Sequence, residues 1–323
     1  MELNVPYSNI KIDPDRLFRL ARLVPLMLLA ALSACARMNM VPTADETPGM
    51  GTLILMNSSP TATMPPFQPP ISSSNPTSTP TLTPEPDCLS LGGQVEATSI
   101  PSQNMNGPLQ FHIYLPPCYD RDISRHYPVL YLIHGQSFTD DQWVRLGAAS
   151  TADKLIAAGT PPFIIVMPFD KYHYRQPATD PFDEAVIKEL IPYIDTSYRT
   201  LAERPFRAVG GLSRGAGWAL HFAMTYPELF GAFGGHSLAI LDEDGPRLRR
   251  LLDAIPPEEM PRIFMDIGKD DGLRASAARF ESMLTEREVP HEWYLFPGVH
   301  NEKYWAGHVE EYLKWYADGW RQE

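Results

Sequence analysis

Cysteine is scarce in this chain. Cys35, Cys88 and Cys118 are the only three in 323 residues, and no two of them form a Cys-x-x-Cys pair. His-Glu-x-x-His and comparable metal-ligand spacings are also missing, so the sequence offers no metal site and asks for no metal or organic cofactor. Basic residues are few: 27 Lys and Arg stand against 39 Asp and Glu, a formal charge of −12. That balance argues against a nucleic-acid partner. There is no internal repeat. Long apolar runs are lacking too, since the longest candidate near the start, Leu23–Leu32, is short for a bilayer span and contains Pro25.

What is present divides the chain into three parts. Lys11, Arg16, Arg19 and Arg22 precede the apolar run, and "LSAC" (Leu32–Cys35) follows it. This order reads as a signal segment over residues 1–34. "LSAC" resembles the bacterial lipobox, and the resemblance implies cleavage before Cys35 and lipid on its thiol. The expectation is an extracytoplasmic protein anchored to a bacterial membrane through Cys35; an ordinary secreted protein is the alternative. Residues 35–86 form the second part. Of the 46 residues from 41 to 86, 26 are Pro, Ser or Thr and only Asp45, Glu46 and Glu85 are charged. Without apolar periodicity such a segment reads as a disordered tether. With Cys35 lipidated, Cys88 and Cys118 remain as an even pair in an oxidising compartment, either a disulfide or two buried thiols.

Residues 87–323 are one domain's worth of chain. "PVLYLIHG" (128–135) and "PPFIIVMP" (161–168) are continuous apolar runs, as expected of strands buried on both faces. "FHIYL", "FRAVGG", "GAFGGHS", "RIFMDIG" and "EWYLF" read as further strands. Helices are expected over "AASTADKLIAAG", over 183–198 with a kink at Pro192, after Ser213, over 273–288, and at the end of the chain. Alternation of this kind predicts an α/β fold with a mostly parallel sheet covered on both faces. Functional residues of such sheets collect at the carboxyl ends of strands. Four strand exits carry notable chemistry: His134-Gly135-Gln136, Ser213, Asp270-Asp271 and His300.

"GLSRG" (211–215) matches Gly-x-Ser-x-Gly between a strand and a helix, the pattern of a nucleophile elbow. A serine hydroxyl needs a base, and the base needs an orienting acid. His300 follows a strand and follows both aspartates, giving the order Ser, acid, His. His236 also ends a strand but precedes them. On residues alone, Asp270 and Asp271 stay open as the acid.

The blocks "YPVLYLIHG", "ELIPYIDTSYRT", "GLSRGAGWALHFAMTYPELFGAFGGHS", "DIGKDDGL" and "PGVHNEKYW", in this order over roughly 95–320, resemble the putative esterase (esterase D-like) family of α/β-hydrolases. That family includes feruloyl and acetyl xylan esterases, S-formylglutathione hydrolases and mycolyltransferases. The resemblance implies an α/β-hydrolase fold and a serine esterase in which Ser213 attacks an ester carbonyl. It places the acid three residues after the strand-end glycine; counted from Gly268, that is Asp271, with Asp270 second, and His300 is the base. The backbone N–H groups of Gln136 and Arg214 would bind the oxyanion. The family often has Met where this chain has Arg214, and a cation there would bias the substrate or pair with a carboxylate. Only 58 residues separate Ser213 from Asp271, so no large lid is expected and the site should be open to bulky esters, including acylated polysaccharides and aryl esters. Phe138, Trp143, Tyr172, His173, Tyr174 and Trp305 are candidates to line it. An acyltransferase of mycolyltransferase type would use the same triad. A non-catalytic surface binding module is the third reading.

Overall fold

The computed structural model describes residues 87–321. The signal segment, Cys35 and the Pro/Ser/Thr-rich tether expected over 1–86 lie outside the described residues. Eight strands form one sheet in the order β1-β2-β4-β3-β5-β6-β7-β8. They are β1 (Gln94–Ile100), β2 (Leu109–Leu115), β3 (Val129–Ile133), β4 (Ile164–Pro168), β5 (Arg207–Leu212), β6 (Ala232–His236), β7 (Arg262–Gly268) and β8 (Glu292–Phe296). The β1–β2 and β2–β4 pairs are antiparallel, and every other pair is parallel. This is the α/β-hydrolase architecture, with no closed barrel.

The pattern of burial follows from position in the sheet. All residues of β3, β4, β5 and β6 are buried, which accounts for the unbroken apolar runs of β3 and β4. Successive side chains of β3 point to opposite faces. Val129, Tyr131 and Ile133 join one core, and Leu130 and Leu132 join the other. The first core is covered by α3 (Phe182–Glu184), α4 (Ile191–Ser197), α5 (Arg214–Thr225), α6 (Leu248–Ala254) and α7 (Arg274–Thr285). The second is covered by α1 (Gln142–Arg145), α2 (Ala148–Ala157) and α8 (Glu302–Asp318).

Two local features have chemical causes. Gly159 adopts φ +97° just past the end of α2, as a helix stop of this type requires. Between α3 and α4 the chain runs through a π-helical turn, Ala185–Leu190, directly before Pro192. Proline has no N–H to give back to the preceding turn, so the expected kink takes the form of a widened turn. Cys88 and Cys118 are joined as a disulfide with Cα atoms 5.0 Å apart. The bridge ties the short 3-10 turn Cys88–Leu91 to the segment after β2.

Candidate active site

Ser213 occupies the single residue between β5 and α5, at φ 56° and ψ −122°. This is the left-handed half of the map, where a non-glycine residue is strained. The turn can be that tight because of its flanking glycines. A Cβ on Gly211 would lie 2.4 Å from the Gly215 carbonyl group, and one on Gly215 would lie 2.2 Å from the Ile133 oxygen. The helix therefore starts against the end of β3, and the serine is pushed outward above the sheet. Its own N–H is anchored to the His236 carbonyl at 2.9 Å.

The Ser213 Oγ lies 2.8 Å from His300 Nε2, and His300 Nδ1 lies 2.8 Å from Asp271 Oδ2. His300 comes from the loop between β8 and α8. Asn301, next in sequence, caps α8 by accepting the Tyr304 N–H at 2.9 Å. The imidazole is one-third exposed, at 32%, and stands edge-on to the Trp305 ring, 4.9 Å between centroids. Asp271, after β7, is 5% exposed. Burial alone raises its pKa, but the bond to His300, the Leu273 N–H at 2.8 Å and the Ser237 hydroxyl outweigh that. The carboxyl is held below its usual range, and so is ionised beside the imidazole. Asp270 is exposed, and only its backbone N–H is engaged here, with the Gly298 carbonyl at 3.0 Å.

A cleft of about 740 Å³ opens over this group, lined by Gly135–Phe138, Leu212, Ser213, His300–Lys303 and Trp305. A larger groove of about 980 Å³ lies elsewhere, around Cys88, Cys118, Tyr127 and Trp320. It sits at the opposite end of the parallel strands and holds none of the residues just described. Chemistry, not size, singles out the smaller cleft. Gln136 lies on its wall. As the first residue of α5, directly after Ser213 in the chain, Arg214 has an N–H with no intrahelical acceptor.

Residues 102–316 match the family described as "Putative esterase". The chain belongs to that family of ester hydrolases. Among curated relatives, an endo-1,4-beta-xylanase/feruloyl esterase of Xylanibacter ruminicola is 31% identical over 153 residues, covering 44% of this chain and 21% of that protein. An esterase of Mycobacterium tuberculosis is 37% identical over 241 residues, covering 58% of this chain and 52% of that protein. The chain thus spans about half, or less, of the length of these relatives. Among solved structures, a ferulic acid esterase superposes with TM-score 0.64 at 24% identity, over 71% of this chain and 99% of that one. An S-formylglutathione hydrolase from Agrobacterium tumefaciens gives TM-score 0.57 at 18% identity, over 70% and 95%. At such identities these two speak for the fold alone.

In this esterase-family chain the aromatic residues expected at the cleft divide. Phe138 and Trp305 line it. Trp143 does not: it belongs to α1, is 1% exposed, and donates its indole N–H to the Ile133 carbonyl at 3.0 Å. The short helix turns this side chain inward, which corrects its expected place on a cleft loop. Tyr172 is half-buried beneath the Arg175 guanidinium, 4.0 Å above its ring, and lies outside the cleft wall. His173 is half-buried and Tyr174 exposed on the same loop. The Arg214 guanidinium turns away into the protein, where Nε meets Asp170 Oδ2 at 2.9 Å. Of the two outcomes expected for this cation, pairing with a carboxylate is the one observed.

Sequence reasoning missed several neighbours. Gln142 is buried and accepts the Gly135 N–H at 2.8 Å, fixing the turn before Gln136. Ser237, at φ 52°, accepts the Trp305 indole N–H at 3.1 Å. Asn301, Glu302 and Lys303 line the cleft directly after His300. That last trio was legible as the continuation of the His300 loop. The other two carry no local signal.

Proposed function

We propose that this protein is a serine carboxylesterase working through an acyl-enzyme, with Ser213 as nucleophile, His300 as base and Asp271 as orienting acid. The observation that carries the reading is the unbroken pair of 2.8 Å contacts from Ser213 Oγ through His300 to Asp271, on a strained strand-to-helix turn. In the reaction, His300 Nε2 takes the serine proton as Oγ adds to the ester carbonyl. Asp271 keeps Nδ1 protonated and stabilises the imidazolium. The backbone N–H groups of Gln136 and Arg214 receive the oxyanion. Collapse expels the alcohol, protonated by His300, and leaves the acyl-serine. Water then enters with His300 as base and releases the acid.

For the substrate we propose aryl or otherwise bulky acyl esters, including esters carried on polysaccharide. Support comes from an open cleft of about 740 Å³ with Phe138 and Trp305 on its walls. The curated relative named endo-1,4-beta-xylanase/feruloyl esterase points the same way. We also place the enzyme outside the cytoplasm, held by lipid on Cys35 and a Pro/Ser/Thr-rich tether. The Cys88–Cys118 disulfide is in keeping with an oxidising compartment.

The test is hydrolysis of p-nitrophenyl acyl esters and methyl hydroxycinnamates by the wild type and by Ser213→Ala. The wild type should turn over both classes. The variant should lose at least about 10⁴-fold in kcat with its melting temperature unchanged, because the hydroxyl faces the cleft. A variant near wild-type turnover would remove Ser213 from the chemistry. Adding an alcohol acceptor to the same assay measures transfer against hydrolysis, and a product that is mainly the new ester would make the enzyme an acyltransferase.

A further inference from the structure

Three adjacent parallel strands, β4, β3 and β5, lead at their carboxyl ends to Asp170, to His134-Gly135-Gln136 and to Ser213-Arg214. The last two exits carry the proposed oxyanion donors. Asp170, 1% exposed, is bonded to both. Its backbone N–H donates to His134 Nε2 at 2.9 Å, while His134 Nδ1 lies 2.8 Å from the Gly135 carbonyl. One ring nitrogen must accept and the other donate, so the imidazole is neutral, and burial lowers its pKa in the same direction. On the other side, Asp170 Oδ2 accepts from Arg214 Nε and from the Trp218 indole N–H, both at 2.9 Å. Its Oδ1 accepts the Tyr172 N–H at 3.2 Å. The Arg214 guanidinium is further fixed by the Arg175 carbonyl at 2.6 Å and stands 3.6 Å from Asp180.

We propose that Asp170 is a positioning residue that holds the two oxyanion-hole peptides at their working separation, through His134 on one side and the Arg214 side chain on the other. The proposal rests on the reading of Ser213, Gln136 and Arg214 given above. An oxyanion hole works only when both donors sit about 2.7–3.1 Å from the developing charge. Gln136 is on a loop after β3 and Arg214 on the first turn of α5, and no strand pairing reaches either residue. Asp170 supplies a link between them that does not pass through the substrate. Stability alone is a weak reason for such an arrangement, since a buried ion pair gains little over apolar residues of the same shape.

The test compares Asp170→Asn with the wild type, using the whole protein. Asparagine keeps the shape and the backbone N–H but removes the negative charge facing Arg214, and with its oxygen on Arg214 and Trp218 its NH₂ group meets the Tyr172 N–H, which needs an acceptor. Turnover of a p-nitrophenyl ester should fall by about 10²-fold with KM within threefold. Affinity for a trifluoromethyl ketone, which puts an oxyanion in the hole when Ser213 adds to it, should fall by the same factor. Affinity for the product carboxylic acid should hold within threefold. Asp244→Asn is the control, because it breaks a comparable buried pair with His221 (2.9 Å) away from the cleft; it should lower stability and spare kcat. If Asp170→Asn does not fold, Trp218→Phe removes one N–H from Asp170 and should lower kcat several-fold with the same split. A folded variant with kcat within twofold of wild type, or equal losses for ketone and product, overturns the proposal. If the wild type itself hydrolyses no ester, the esterase reading fails separately. The link is then read from backbone amide shifts: those of Gln136 and Arg214 should both move in Asp170→Asn, and an unmoved Gln136 amide overturns it.

Discussion

Replacing Asp271 by asparagine separates the proposed orienting acid from its neighbour Asp270 with a change of one heavy atom. In the wild type the Asp271 carboxylate accepts His300 Nδ1–H at 2.8 Å and the Leu273 N–H at 2.8 Å. Asparagine has one oxygen to offer. If that oxygen stays on Leu273, an amide NH₂ faces His300 Nδ1, and the imidazole must move its proton to Nε2. The nitrogen facing Ser213 Oγ then cannot take the serine proton. Loss of the correct tautomer together with the stabilising negative charge costs about 10⁴-fold in kcat in serine triads, which is about 5.4 kcal/mol of barrier. Asp270→Asn changes an exposed side chain whose backbone N–H bond to Gly298 is retained, and should stay within about threefold, as surface changes away from the chemistry do. The assay is kcat and kcat/KM on a soluble p-nitrophenyl ester, with melting temperatures of both variants alongside. A mild Asp271→Asn paired with a crippled Asp270→Asn would move the acid by one position. Two mild variants would refute the triad.

Two further outcomes concern stability. The Cys88–Cys118 bridge spans a sequence separation of 30, for which the chain-entropy expectation is about 3.5 kcal/mol; the double Cys→Ser variant should shift the urea midpoint down accordingly and leave kcat/KM on a small ester unchanged, and a loss of activity at full folding would contradict its place far from the cleft. For His221, burial alone lowers the pKa, but the Asp183 carboxylate 3.7 Å away and the Asp244 carboxylate bonded at 2.9 Å outweigh it and push the imidazole up to about 9. A pKa raised above the unfolded value of about 6.5 gives stabilisation that is complete below pH 6.5 and is lost as pH rises through 9, about 3 kcal/mol by linkage. Denaturation at pH 6 and at pH 9.5 should show that extra loss in the wild type and not in His221→Gln, and equal losses in both would exclude His221 as its source.

Much of this arrangement could be read from the residues, for identifiable reasons. β3 and β4 are apolar runs bounded by Pro, Gly or polar residues, so burial on both faces wrote them plainly, and β5 and β7 were legible from their apolar stretches despite Arg207 and Asp266. β1 was not legible: six of its seven residues are at least partly exposed, and it gains strand structure only by pairing antiparallel with β2 at the sheet edge. The elbow was legible because its glycines answer a steric demand set by Ile133 and His134. Asp170 was not, because its partners Arg214 and Trp218 are 44 and 48 residues away and its own segment has no turn or motif. Trp143 looked like a cleft residue because α1 is only four residues long, too short for a periodic pattern to say which way the indole points.

Among the described residues, two histidines at the carboxyl side of the sheet have an aspartate at 2.8 Å, and their position and burial distinguish them. His236 is the last residue of β6, still in register with Leu212 and Asp266. It and Asp266 are fully buried, and the other carboxylate oxygen takes the hydroxyls of Tyr304 and Tyr312. A base sealed in this way has no path to a substrate proton, although its carbonyl does hold the Ser213 N–H. His300 lies four residues beyond β8, and β8 is separated from β5 by β6 and β7. Three strand spacings amount to roughly 14 Å, about the greatest span four extended residues can cover. The loop therefore has to lean back across the sheet, and it is tied down on the way: Lys269 and Asp270 donate their N–H groups to the Phe296 and Gly298 carbonyls. Asp271 then stands beside the returning imidazole, on the exit of β7, between β8, which leads to His300, and β5, which leads to Ser213. The chain order Ser, Asp, His follows from that path, since each residue beyond β5 must come from a strand farther out and reach back toward Ser213.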